Sequence, residues 1–341
     1  MPSLPLDTQP KVETKAPKSQ LPLVIIVGPT AVGKTGIAVQ LAERLNGEII
    51  SADSRLFYRG MDIGTAKPSF EERQRVPHHL VDVADPDEVW SLSLFQKCAC
   101  QAISDIYARG KLPFLVGGTG QYIRAVVHGW QVPKVSPHPQ MRAALESWAQ
   151  VIGGVGLHQR LSLLDPTAAG AIDPRNLRRT VRALEVILTT GNKFSVQRVS
   201  AGTDYKILTL GLSRPRAELY ARIDTRIEVM IQAGLVEEVK NLLGRGYPAE
   251  APAFSAIGYQ EIVSHLQGKY SLDEAVSQIK RSTRVFVRRQ ANWFKPDDPG
   301  IRWFSVGERT LEEMERVIQE WLQGSEIVWN RLSSVWNVRT K

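Results

Sequence analysis

An apolar run at residues 23–27 leads into Gly28-Pro-Thr-Ala-Val-Gly33-Lys34-Thr35, and KTGIAVQLAERLN follows with Ile37, Ala38, Leu41, Ala42 and Leu45 at helical spacing. Strand, glycine-rich turn and helix in that order turn backbone amides inward at the positive end of a helix, the geometry that holds phosphate. The eight residues satisfy G-x-x-x-x-G-K-[ST] in full. Gly28, Pro29, Thr30, Ala31, Val32 and Gly33 make the cradle, Lys34 reaches a terminal phosphate, and Thr35 is placed to bind Mg²⁺. The loop alone leaves open whose phosphate it holds.

Beyond it, GEIISADS reads as a second buried strand, LVDV as a third, and LPFLVGGTG as another, preceded by the helical LFQKCACQAISDIYARG. Alternating strands and helices imply a parallel sheet with ligands at the carboxyl ends of the strands. After Trp130 a Pro-rich connector, QVPKVSPHPQ, introduces helical, Arg-rich sequence up to about Phe194, and YKILTLGLS then restores a strand pattern. The expected fold is α/β: a P-loop NTPase-like parallel-sheet core over residues 21–130 and 205–310, interrupted by a helical insertion domain over 131–204. IRWFSV reads as a late edge strand or an apolar contact, residues 311–341 as a terminal helix and tail, and the Pro-, Lys- and Thr-rich residues 1–20 as a disordered leader.

Hydrophobic residues make up 43% of the 341, enough for a substantial core. The formal charge is +8, and the arginines gather in a few helical segments, which points to an anionic partner with nucleic acid foremost. Cys98 and Cys100 stand one residue apart, a spacing that suits neither a disulfide nor a zinc site, so reduced thiols and a cytoplasmic chain are expected. No apolar run approaches the ~18 residues of a membrane helix.

A hydrolysing NTPase needs an acid at the end of a neighbouring strand. Here LPFLV ends in Gly117-Gly118-Thr119-Gly120, and HHLVDV offers only Asp82, inside its strand. Phosphate or diphosphate binding is therefore the safer reading. Asp53 and Ser54 fall at the carboxyl end of the second strand, facing the loop, where a carboxylate beside bound phosphate is electrostatically costly. Such a placement suits a proton acceptor for an incoming nucleophile; the alternative is a turn cap.

The stretches GPTAVGKT, ISADSRLFYRGMDIGTAKP, VPHHLVD, LVGGTGQYIRA, LRRTVRALEV, LYARIDTRIEVMIQAGLVEEV, AIGYQE and VRRQANWF occur in the order found in tRNA dimethylallyltransferases, and the chain resembles that family from about residue 21 to 305. The resemblance implies that the loop holds the diphosphate of dimethylallyl diphosphate and that the acceptor is N6 of the adenosine beside the anticodon. By the same resemblance Asp53 is the base, Thr119 positions substrate, and Lys34, Thr35 with Mg²⁺ and Arg222 or Arg226 stabilise the leaving diphosphate, Arg222 being favoured. A monomer that grips a tRNA anticodon stem-loop and turns the base out of its stack is implied as well. The RNA contacts it suggests are Asp53, Ser54, Arg55, Leu56, Thr119, Arg142, Arg175, Arg178, Arg179, Arg182, Arg281, Arg284, Arg288 and Arg289.

Several of these residues have a plainer alternative. Arg222 and Arg226 share a helical face and pair equally well with Asp224 and Glu228. Lys280, Arg284 and Arg288 step by four into one basic stripe, with Trp293 just beyond, and a charge run is ordinarily a solvated face. Leu56, Gln121 and Gln260 depart from the Gln, Leu and basic residue commoner in the family at those places. Three rival functions share parts of the pattern: an adenylate isopentenyltransferase, a P-loop small-molecule kinase, and an RNA-binding protein whose loop only senses a nucleotide.

Overall fold

The computed structural model describes residues 21–130, 138–197 and 202–323. The expected leader, most of the Pro-rich connector and the end of the tail lie outside these residues.

Six parallel strands form one sheet in the order β3-β2-β4-β1-β5-β6. They are β1 (Leu21–Val27), β2 (Gly47–Ser51), β3 (His78–His79), β4 (Leu112–Gly117), β5 (Tyr205–Ser213) and β6 (Ile301–Ser305). The central strands are near-continuous apolar runs buried on both faces, as a helix-covered parallel sheet demands. Register fixes the working edge: Val27 lies level with Gly117 and Gly211, and Ser51 with Val116. Because all strands run the same way, the turns after β1, β2 and β4 open at one edge, with the β4 turn between the other two.

Helices α1 (Lys34–Arg44), α2 (Phe70–Arg75), α3 (Leu92–Ala108) and α4 (Gly120–Val127) connect the first strands. The half-buried free thiols Cys98 and Cys100 sit on α3. Next come α5 (Pro139–Leu164), α6 (Pro166–Gly170), α7 (Leu177–Thr190) and α8 (Phe194–Gln197), strand-free and packed on a separate apolar cluster that includes Leu145, Leu157, Leu161, Val181 and Leu184. Fully buried Glu185 of α7 organises this unit, accepting from the His138 amide (2.7 Å), from Arg142 (2.9 Å) and from Arg182 (2.6 Å). Burial alone would push the Glu185 carboxyl up, but these partners hold it down at about 2. After β5 follow α9 (Arg216–Gln232), α10 (Leu235–Gly244), a 3₁₀ turn (Pro252–Ser255), α11 (Tyr259–Leu266), α12 (Leu272–Ala291) and, beyond β6, α13 (Thr310–Gln323). No helix among the described residues is long and apolar enough to cross a membrane.

Two strand expectations resolve differently. IRWFSV is a strand, β6, pairing parallel with β5 at the sheet edge. LVDV is not: the ladder ends at His79, and Leu80 and Asp82 adopt φ of 60° and 56°, which no extended strand tolerates. The amides of Asp82, Val83 and Ala84 instead follow the turn after β2, bonding Leu56 O and Phe57 O.

Candidate active site

A cleft of about 670 Å³ opens at the carboxyl edge of the sheet and brings together Thr30, Ala31, Gly33, Lys34, Thr35, Asp53, Leu56, Arg222 and Arg226. The loop after β1 owes its shape to side chains from the far half of the chain. Gln290 Oε1 accepts from the Thr30 amide (2.8 Å), Arg222 Nε donates to Ala31 O (2.9 Å), and Arg214 Nε donates to Val32 O (3.0 Å). Lys34 Nζ curls back onto Gly28 O and Pro29 O, 2.9 Å each. Ala31 is held at φ 65° and Gly33, before the first turn of α1, at φ 109°. With the carbonyls tied away, the free amides of that first turn are left for an anion.

Burial pushes the Lys34 ammonium down to about 8; the Asp53 carboxylate opposes the shift and the Arg226 guanidinium adds to it. Arg226 is itself lowered by burial, again opposed by Asp53. Three cations, Lys34, Arg222 and Arg226, thus share the cleft with Asp53, Glu72 and Glu218, and an incoming anion relieves the repulsion between the cations.

Asp53 sits two residues past β2, in a backbone tied to β4 through the bond from Ala52 N to Val116 O (2.8 Å). Its Oδ1 accepts from the Arg55 amide (3.0 Å), so the turn-cap alternative holds for one oxygen. Its Oδ2 has no hydrogen-bond partner among the described residues. Thr119 occupies the N-cap position of α4 without capping it; its hydroxyl meets the Ser54 amide at 3.4 Å instead. A threonine released from its usual task faces the turn that carries the acid.

Positions two apart on a helix point about 200° away from each other. Accordingly Arg222 and Arg226 face the cleft, whereas Asp224 and Glu228 turn to α12 and pair with Arg284 and Lys280. The salt-bridge alternative for the two arginines therefore fails. Lys280 and Arg284 of the stripe thus lie in a seam between α9 and α12, with Arg284 also 5.4 Å over the Tyr220 ring, whereas Arg288 at the end of the stripe is exposed. Trp293 packs on Gly120 beneath Arg124.

Other arginines are also engaged: Arg142 and Arg182 hold Glu185, Arg175 pairs with Asp173, and Arg55 reaches Ser255. Arg178, Arg179, Arg281 and Arg289 are exposed with no ion pair among the described residues. Asp82 is taken by Lys67 and Arg73 and leaves no hydrolytic acid there. Sequence reasoning singled out none of Arg214, Gln290 and Lys67, although Gln290 falls in VRRQANWF and Lys67 in ISADSRLFYRGMDIGTAKP, because neither stretch says what the side chain meets.

The IPP transferase family model matches residues 56–297. A tRNA dimethylallyltransferase of Roseiflexus sp. strain RS-1 is 54% identical over 275 residues, covering 81% of this chain and 90% of its own length. One from Thermomicrobium roseum is 47% identical over 304 residues, covering 88% of this chain and 92% of that protein. Among solved structures, the full-length tRNA isopentenylpyrophosphate transferase of Bacillus halodurans matches at 42% identity and TM-score 0.68, covering 91% of this chain and 99% of that one. A eukaryotic dimethylallyltransferase acting on tRNA matches at 26% identity and TM-score 0.76, with 89% and 80% covered. With a glycine-rich loop and an acid meeting in one cleft at the sheet edge, the chain belongs to the IPP transferase family.

Proposed function

We propose that this enzyme transfers the dimethylallyl group of dimethylallyl diphosphate to N6 of the adenosine 3′-adjacent to the anticodon of tRNA. The N6–C1 bond forms as the C1–O bond breaks, the diphosphate departs with the bonding electrons, and the N6 proton passes to Asp53. The adenine amine is a weak nucleophile because its lone pair is delocalised into the ring, so the step needs a proton acceptor on one side and cations on the other. The observation that carries the reading is Asp53 itself: one oxygen fixes its turn, the other is free, and Lys34 and Arg226 stand within its electrostatic reach.

Lys34, Arg222, Arg226 and the loop amides take the diphosphate; Ala31, Leu56, Ala66 and Ala221, which line the same cleft, form the apolar wall for the allyl tail. Thr119 and Ser54 orient the acceptor. A divalent cation such as Mg²⁺ fits, because the Thr35 hydroxyl lines the cleft without a hydrogen-bond partner among the described residues. Thr35 would hold it, and its charge would offset that of the leaving diphosphate. The unpaired cations Arg178, Arg179, Arg281 and Arg289 support anticodon stem-loop binding by a monomer. Arg142, Arg182 and Arg284 serve the protein's own packing.

Radiolabelled dimethylallyl diphosphate incubated with unmodified bulk tRNA, Mg²⁺ and no ATP should label N6-dimethylallyladenosine in the digested RNA. Label on AMP with none on tRNA would reassign the chain as an adenylate isopentenyltransferase, and ATP turnover with neither labelled would make it a kinase.

A pH limb follows from Lys34. Its free-state value of about 8 rises once an anion binds, so complex formation takes up a proton, and affinity falls as pH climbs above about 8. Calorimetric titration with inorganic pyrophosphate should show a Kd weakening by up to tenfold per pH unit there. A flat profile across that range would remove Lys34 from the anion site.

A further inference from the structure

Gln290 lies in the last turn of α12, is 4% exposed, and spends both ends of its amide on backbone. Oε1 accepts from the Thr30 N–H at 2.8 Å and Nε2 donates to Gly118 O at 3.2 Å. Thr30 belongs to the loop that receives the diphosphate, and Gly118 immediately precedes Thr119 on the acceptor side. The approach is close: a Cβ on Gly118 would lie 2.3 Å from Nε2. Three residues further on, Trp293 seats against Gly120, with Arg124 5.2 Å over its ring and bonded to its carbonyl at 3.2 Å. The end of α12 is thereby wedged between the two turns.

Resting on the proposed transfer reaction, we infer that Gln290 is a positioning residue that sets the separation between the donor cradle and the acceptor turn. An N6-to-C1 displacement needs both reactants held in line at near-contact distance, and small misplacements of either lower the rate steeply. Thr30 and Gly118 sit on different loops, so a side chain bonded to both converts two separately tethered turns into one frame. Only a group with an acceptor at one end and a donor at the other satisfies both partners; in a buried site a carboxylate satisfies one and repels the other. Protonation makes a carboxylic acid equivalent to the amide, and burial favours that protonation.

The test is Gln290→Glu, assayed by steady-state transfer to tRNA. The expected result is a kcat about 10- to 100-fold below wild type near pH 8, with KM for both substrates within about twofold. The ratio of variant to wild-type kcat then recovers as pH falls, a trend that taking the ratio frees from the reaction's own pH dependence. Gly118→Ala, which pushes the amide out, should give a similar kcat loss that does not add to that of Gln290→Glu. A pH-independent ratio, additive losses, or a rise in KM at constant kcat would overturn the inference while wild-type transfer still upholds the proposed reaction. Absence of transfer by the wild type would overturn both. Should Gln290→Glu not fold, as judged by circular dichroism, Gly118→Ala decides alone: full kcat there overturns the assignment.

Discussion

Replacing Asp53 by Asn lowers kcat for transfer by about 10²- to 10⁴-fold, the usual range for removing a general base, with tRNA affinity close to wild type. The substitution isolates the chemistry because Asn keeps an oxygen for the Arg55 amide, so the turn after β2 survives. What disappears is the free oxygen and the negative charge. Loss of the charge also removes the influence that raises Lys34, so the pyrophosphate pH limb moves to lower pH in the variant. Single-turnover labelling of tRNA measures the first effect and calorimetry the second. A kcat within about threefold of wild type would strip Asp53 of the base role. An unchanged pH limb would instead place its charge too far from Lys34 to matter.

The central sheet and the phosphate loop were legible because their signals are local. A fully buried strand must be an apolar run, and the loop needs its glycines, lysine and threonine in one stretch. Asp53 was legible for a topological reason: in a parallel sheet, residues just past two strands meet at one edge. The basic stripe on α12 was not. Spacing by four shows that Lys280, Arg284 and Arg288 share a face but not what the face meets: Lys280 and Arg284 meet Glu228, Asp224 and the Tyr220 ring of α9, while Arg288 stays exposed. The LVDV strand failed for a related reason, since its apolar residues satisfy burial along the turn after β2 rather than in the ladder. Gln290 stands 260 positions from Thr30 and its motif VRRQANWF names no partner, so only the folded chain reveals the bond.

Lys67→Met should destabilise the fold by about 2–4 kcal/mol and lower Tm by roughly 4–8 °C. The Lys67 side chain is 2% exposed, and its ammonium donates to Tyr58 O (2.9 Å) and to the carboxylates of Asp62 and Asp82. Tyr58 and Asp62 lie on the segment that leaves β2 carrying Asp53, and Asp82 lies just beyond β3, so one buried cation ties that segment to the chain that follows β3. Removing a partner from such a cluster leaves its acceptors without compensation; Met fills the volume, so the cost is electrostatic rather than a cavity. The effect stays below that of a fully buried pair because Asp62 is 59% exposed and Asp82 keeps Arg73 at 2.7 Å. A contrast is available in Lys240, whose pair with Glu237 is exposed on both sides. Lys240→Met should shift stability by less than about 0.5 kcal/mol. Urea unfolding of the two variants followed by circular dichroism separates them, and equal midpoints would show that Lys67 only decorates the loop. If the midpoints differ as expected, Lys67→Met should also lose kcat at temperatures where it remains folded. The segment it ties down carries Asp53, and a base displaced by a fraction of a bond length no longer meets the departing proton.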